Sequence, residues 1–357
     1  VVDLHALTIP QDPVELRRRN IYREGSIEPT RNVLPTGVSA LPVMERCVEE
    51  AAKWGPVVNE PGSHLLRGVG IACGIKNVGY SFGFPEQSTA TVELDGRFEA
   101  ERKATVRIGA ADVGQGTHLA LRQIAAETLG LPIERVTMMT DDSAESPNAG
   151  SASASRLTLM AGRAVYEAAA RALAEWRDTE QEHVAVTHQF RPPATTPLAE
   201  HTGTGTPNYC YGYSAQAVEV EVNTLTGLVR VLRVISVHDV GKAINKQQVE
   251  AQIEGCLAQA VGYALLENFQ IKDGIVKTPY FSTYLLPTAL DMPVEITPII
   301  MELADPNGPY GARGVAEMPL VPFVPAVAAA IHDATGVWLF DQPMTPERVL
   351  NALNESR

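Results

Sequence analysis

The sequence predicts an α+β fold, with helices laid over antiparallel or mixed sheets. Three observations predict it. Segments of period-two or β-branched character, bounded by glycine or Asp-Gly breaks, recur along the chain. Helical segments stand between and after them without the regular strand-helix alternation of a parallel α/β fold. No repeat of fixed period and no low-complexity tract is evident. The 357 residues are 45% hydrophobic and 20% charged, ordinary for a globular chain of about two domains with a real core.

The chain opens on helix and loop. Asp12-Pro13-Val14-Glu15 sets an N-cap aspartate before a proline at the first helical position, so a helix starts there and runs through Arg17-Arg18-Arg19-Asn20. A second helix is predicted near Pro42 to Trp54, with Val43, Cys47, Ala51 and Trp54 on one face. From Arg67 the pattern turns to strands at Val69–Ile75, Ser88–Leu94 and Ala104–Gly109, with a break at Asp95-Gly96. A helix over Thr117–Leu129 and a strand over Arg135–Thr140 complete a β-β-β-α-β unit. A long helix follows over Leu157–Trp176, and the polar, Pro- and Thr-rich stretch Arg191–Pro207 reads as a surface excursion. Strands at Ala215–Val222 and Val229–Val237, a helix at Gln247–Glu267, a strand at Val294–Leu303, and helices at Pro325–Thr335 and Pro346–Leu353 follow. This organisation suggests three units: residues 1–62, 63–206 and 207–357.

Composition narrows the function classes. The net charge is −13, from 29 basic and 42 acidic residues, and the basic cluster Arg17-Arg18-Arg19 stands among apolar helix positions, which argues against a nucleic-acid partner. Cys47, Cys73, Cys210 and Cys256 show neither CxxC nor zinc-ligand spacing and read as reduced buried thiols of a cytoplasmic protein. No apolar run is long enough to span a bilayer, and Val1-Val2-Asp3 does not open a signal peptide.

Five segments could carry chemistry. Gly114-Gln115-Gly116 leaves a strand and opens a helix, where unpaired N–H groups and the helix dipole favour an anion; many such loops are only tight turns. Ser151-Ala152-Ser153-Ala154-Ser155-Arg156 stands before the long helix, with Ser155 free either to cap it or to bond a ligand. On the helix after Val237-His238-Asp239-Val240-Gly241, Gln252 flanks the apolar stripe Ile253, Leu257, Val261 and Leu265, where its amide is either solvated or in reach of a buried ligand. Glu317 lies in a glycine-rich turn closed by Pro319, a mounting that lets a carboxylate face a site, although a loop glutamate is ordinarily a solvated group. Phe82, flanked by Gly79 and Gly83, could stack on a planar ring or anchor its loop. His118 and His332 read as structural, since no pair has metal-ligand spacing.

In colinear order these segments resemble the molybdenum-binding subunit of the molybdenum hydroxylases, the xanthine dehydrogenase and aldehyde oxidase family. Gly314-Val315-Ala316-Glu317-Met318-Pro319 is similar to the family's Gly-x-Gly-Glu-x-Pro turn, with Ala316 where glycine is usual. Ala330-Ile331-His332-Asp333-Ala334-Thr335-Gly336 and Pro343-Met344-Thr345-Pro346-Glu347-Arg348-Val349-Leu350 resemble the helix and closing segment after it. Gly114-Gln115-Gly116 and Ala154-Ser155-Arg156 match its cofactor loops, and Asp12-Pro13-Val14-Glu15-Leu16-Arg17 resembles the end of its first molybdenum-binding domain.

The resemblance implies the molybdenum-cofactor-binding domain fold of the large subunit, mixed sheets with covering helices, and a place in its C-terminal half. It implies Glu317 as the catalytic base that takes a proton from the water supplying the inserted oxygen. Cofactor contacts fall to Gly114, Gln115, Gly116, Ala154, Ser155 and Gln252, substrate stacking to Phe82, and no protein side chain to the metal. The implied cofactor is molybdenum-molybdopterin cytosine dinucleotide, with 2Fe–2S clusters and FAD on partner domains or subunits. Implied partners are the N-terminal half of the molybdenum subunit, an iron–sulfur subunit, an FAD subunit and a small-molecule substrate, within an oligomer and without a membrane. The family's Phe-Gly-Gly-Lys segment is absent, so the chain would hold part of a site and be inactive alone. Two other classes stand beside this reading: a cofactor-free scaffold or assembly subunit, and a phosphate-ester-binding protein using the two loop-to-helix junctions.

Overall fold

The computed structural model describes residues 12–179 and 182–356; the opening Val1-Val2-Asp3 lies outside them. Helix α1 (Pro13–Asn20) starts at its predicted cap, the Asp12 carboxylate accepting from the N–H of Val14 and Glu15. Helix α2 (Ala40–Ala52) buries Val43 and Cys47, with Ala51 and Trp54 packed beside them. Strand β1 (Leu65–Asn77) then leads to β2 (Ser88–Asp95), β3 (Lys103–Arg107), α3 (Thr117–Leu129) and β4 (Val136–Met139).

The predicted β-β-β-α-β unit does not form one sheet, because its first strand joins another. The first sheet runs β4-β3-β2-β5, closed by β5 (His183–Phe190) after helix α4 (Leu157–Thr179). Strand β5 escapes the sequence reading because only Val184 of its polar-rich run is buried. Strand β1 pairs instead with β6 (Tyr211–Asn223), antiparallel from Leu65 opposite Asn223 to Asn77 opposite Tyr211, in a second sheet. That sheet continues through β7 (Val229–Asp239) to β10 (Glu295–Met301), which lies parallel to β7. Helix α5 (Lys246–Val261) and the short hairpin β8 (Ile271–Lys272) and β9 (Ile275–Val276) come between those two strands. The predicted helix Gln247–Glu267 loses its regular pitch at a π turn over Gly262–Leu266.

The destination of β1 follows from its small residues. Gly68, Gly70, Ala72 and Gly74 alternate on its buried face, against helix α6 (Leu320–Thr335). A Cβ on Gly70 would stand 2.1 Å from the carbonyl oxygen of Ala326 and 2.4 Å from the nitrogen of Ala330, so strand and helix meet backbone to backbone. Helix α6 starts at Leu320 rather than at the expected Pro325. Pro319 and Pro322 fall at its cap and first turn, where no N–H is needed, and only Pro325 removes an interior bond. Gly70→Ala is therefore expected to destabilise the protein by about 1–3 kcal/mol through overpacking. The urea midpoint checks this, and a wild-type midpoint would show that α6 is free to slide.

One core fills the space between the first sheet and α3 and α4, and a second lies between the other sheet and α5, α6 and α7 (Pro346–Glu355). Among the described residues no helix is long and apolar enough to cross a membrane.

Candidate active site

The turn that carries Glu317 is fixed from below by Arg313, which is 1% exposed. Its backbone N–H donates to Val240 O at 2.8 Å, and its guanidinium donates to Tyr211 O at 3.0 Å and Gly37 O at 2.7 Å. The carboxylates of Asp239 and Asp305 lie 3.4 and 3.6 Å from the same group, and the Tyr213 ring is 5.5 Å from it. Asp239 in turn accepts from the Ser39 hydroxyl and from the N–H of Gly241 and Leu303. One cation thus ties the turn to β6, to β7 and to the segment before α2.

Above this anchor the turn presses on the serine-rich loop. A Cβ on Gly314 would stand 1.8 Å from Ser155 O, so glycine is required there. The Ser155 hydroxyl donates to Glu317 Oε2 at 2.7 Å and accepts from the Glu317 N–H at 3.3 Å, so it serves the turn rather than capping α4. Lys76 Nζ, at the end of β1, meets the same Oε2 at 2.8 Å. Burial pushes the Glu317 carboxyl up, but the hydrogen bonds from Lys76 and Ser155, with the lysine charge, outweigh it and hold the group below its ordinary value.

Ala154 and Ser155 both take left-handed backbone, at φ 53° and 50°. Neither is glycine, and each such residue costs on the order of 1–3 kcal/mol, a strain that clusters at functional sites. The surroundings impose it: Gly79 N donates to Ala154 O at 2.9 Å, and buried Arg156 donates to Ala149 O and Gln87 O while pairing with Glu86. Among the described residues, no acceptor meets the N–H groups of Ser153, Ala154 or Ser155.

The start of α3 differs from the sequence reading. The Asp112 carboxylate already accepts from the N–H groups of Gly114, Gly116 and His118, at 2.9, 3.2 and 3.1 Å. Burial pushes Asp112 up, but these N–H groups outweigh it and hold the carboxyl below its usual value. A resident anion thus takes the donors that were expected to receive a phosphate. Gln115 is also engaged locally, its amide donating to Ala111 O and Thr117 Oγ1, each at 2.9 Å, and accepting from Val113 N. His118 bonds Ala110 O at 2.7 Å, and His332 stacks on Trp338 with centroids 4.2 Å apart.

Gln115, Gly116, Ala154, Ser155, Gln252 and Glu317 all line one cleft of about 460 Å³. Gly114 and Phe82 do not. Phe82 is 58% exposed, and its own N–H donates to Pro207 O at 3.0 Å. Two lining residues were missed. Gln248 lies one helical turn before Gln252 and packs on Gly116, where an added Cβ would stand 2.1 Å from its Nε2. Asn245 caps α5 by accepting from Gln248 N. Lys76 was missed as well, although a single lysine ending the run Gly68 to Ile75 is a signal that could have been weighed. Among the described residues no group of three or more His, Cys, Asp or Glu could hold a metal ion.

Two four-stranded sheets with covering helices hold between their loops a cleft walled by left-handed backbone and amide side chains, a setting suited to a bound cofactor. The profile of the molybdopterin cofactor-binding domain family matches residues 46–293, and the chain belongs to that family. It is 30% identical to a probable xanthine dehydrogenase subunit of Bacillus subtilis over 96% of this chain and 49% of that one. It is 29% identical to an aldehyde oxidoreductase of Megalodesulfovibrio gigas over 99% of this chain and 40% of that one. A solved structure of the Desulfovibrio gigas aldehyde oxidoreductase superposes with a TM-score of 0.85 at 28% identity, covering 99% of this chain and 40% of that one. The chain therefore spans about half the length, or less, of the curated relatives it matches.

Proposed function

We propose that this chain forms one wall of the molybdenum-pterin site of a hydroxylase that places a water-derived oxygen on an aldehyde or on an electrophilic carbon of an aromatic heterocycle. The observation that carries the proposal is the meeting of an ionised, two-point-held Glu317 with the Ala154-Ser155 loop and the Gln248 and Gln252 amides on one cleft. The names of the relatives support the substrate class.

The residues present fit a pterin. A flat heterocycle rich in donors and acceptors needs amide and N–H partners around a mostly apolar cleft. Gln252 and Gln248 offer amides, and Ser153, Ala154 and Ser155 offer unpaired N–H groups. When bound, the cofactor would supply the metal and the acceptor for two electrons. The chain's own residues do the rest. Glu317 takes the proton from the attacking water, and Ser155 and Lys76 fix its carboxylate through Oε2, which leaves Oε1 for that proton. Gly116 lets the Gln248 amide pack close at the cleft wall where the cofactor would lie, Gly114 and Gln115 support that loop, and Phe82 offers an exposed ring to a planar substrate.

Cys47, Cys210 and Cys256 are buried, and the iron–sulfur clusters and FAD are proposed to lie on other domains or subunits, in a cytoplasmic oligomer. Between Phe269 and Val294 an apolar stretch faces outward, with Phe281, Leu290 and Val294 at 80, 92 and 84% exposure. The N-terminal half of the molybdenum subunit is the proposed cover, since the relatives extend about as far again as this chain. The complete, freshly purified complex is expected to contain molybdenum and to release a cytidine nucleotide on acid treatment. Absence of both would contradict the proposal.

A further inference from the structure

Lys76 is the one cation that touches the Glu317 carboxylate among the described ion pairs, and it does so from outside the cleft lining. It ends β1, on a different element from either loop of the site. Its side chain is 19% exposed, and its ammonium is fixed by a second bond to Asn77 O at 2.8 Å and aimed at the oxygen that Ser155 also holds. The other groups facing Glu317 are few. Ser155 comes from the serine loop, and from α5 comes Cys256, whose thiol burial pushes up to about 11, with the nearby carboxylate adding to the rise. Neither is a cation.

We infer that Lys76 is a positioning residue for the base: it clamps one carboxylate oxygen and presents the other to the cleft. This inference rests on the reading of Glu317 as the base. The physical case is a balance. Half-buried Glu317 is pushed toward its neutral form by desolvation, and only a neighbouring positive charge and hydrogen bonds reverse that. Ser155 supplies one hydrogen bond, and Lys76 supplies both a hydrogen bond and the charge. With the lysine gone, burial regains weight and the carboxyl titrates at higher pH. A base acts only when ionised, so activity present above its pKa is then lost earlier as pH falls.

The test uses the complete enzyme at equal molybdenum loading and measures the single-turnover reduction rate against pH. For Lys76→Met the acid limb is expected to move to higher pH. The high-pH plateau should fall by less than the roughly hundredfold minimum cost of losing a base. Lys76→Arg should restore much of the wild-type limb. Thermal midpoints of Lys76→Met, Glu317→Gln and the double variant form a second readout: coupled residues give less than additive losses. A Lys76→Met profile that superimposes on wild type, or strictly additive midpoints, would overturn the clamp while leaving the base reading intact. Wild-type rates in Glu317→Gln would overturn the base reading and the clamp with it. If the methionine variant fails to load the metal, Lys76→Gln takes its place under the same expectations.

Discussion

Replacing Arg313 by methionine is expected to cost about 3–5 kcal/mol of stability, because it strands two buried carboxylates. Asp239 is 0% exposed and Asp305 7%, and Arg313 lies within salt-bridge distance of both. The same change removes the donors that hold the carbonyls of Tyr211 and Gly37. A loss of that size is a large share of the roughly 5–15 kcal/mol by which a domain is stable. Urea denaturation reads it directly. The double variant Arg313→Met/Asp239→Asn should recover part of the loss, since one of the stranded charges is then neutral. A single-variant loss below about 1 kcal/mol, the scale of an exposed pair, would show that the cluster is hydrated or dispensable.

Much of the site was legible because its loops carry signals of short range. Glycines at 114, 116 and 314, the Ala154-Ser155-Arg156 run and the Pro319 stop mark tight turns whatever lies around them, and each turn forms where it was expected. The helices were legible for the same reason, through the cap at Asp12 and the apolar face of α2. What the sequence hid was long-range. Strand β1 carries the same alternation whether it joins β2 or β6. Its partner is chosen by the fit of Gly68 and Gly70 against α6, more than 250 residues away. The Lys76 contact depends on that choice, since only β1 at the edge of the second sheet brings the lysine to the Glu317 turn. Asp112 hid differently. Its carboxylate mimics the very anion that the glycine loop seemed made to receive, and only the three N–H distances reveal it.

Glu317→Gln should slow the reductive half-reaction by about a hundred- to ten-thousand-fold, the usual cost of removing a general base. The substitution keeps volume and can still accept from Ser155, so the turn should hold its shape. It removes the charge that Lys76 meets and the capacity to take a proton. The proposed cofactor contacts are on other elements, at Gly116, Ala154, Ser155 and Gln252, so molybdenum content should stay near wild type. The decisive measurement is the rate of enzyme reduction by substrate in the complete complex, made beside a metal assay on the same sample. With Glu317 as the base, the rate is lower by at least about a hundredfold at full metal loading. Wild-type reduction at full loading would show that Glu317 is only a turn residue and would contradict the assignment.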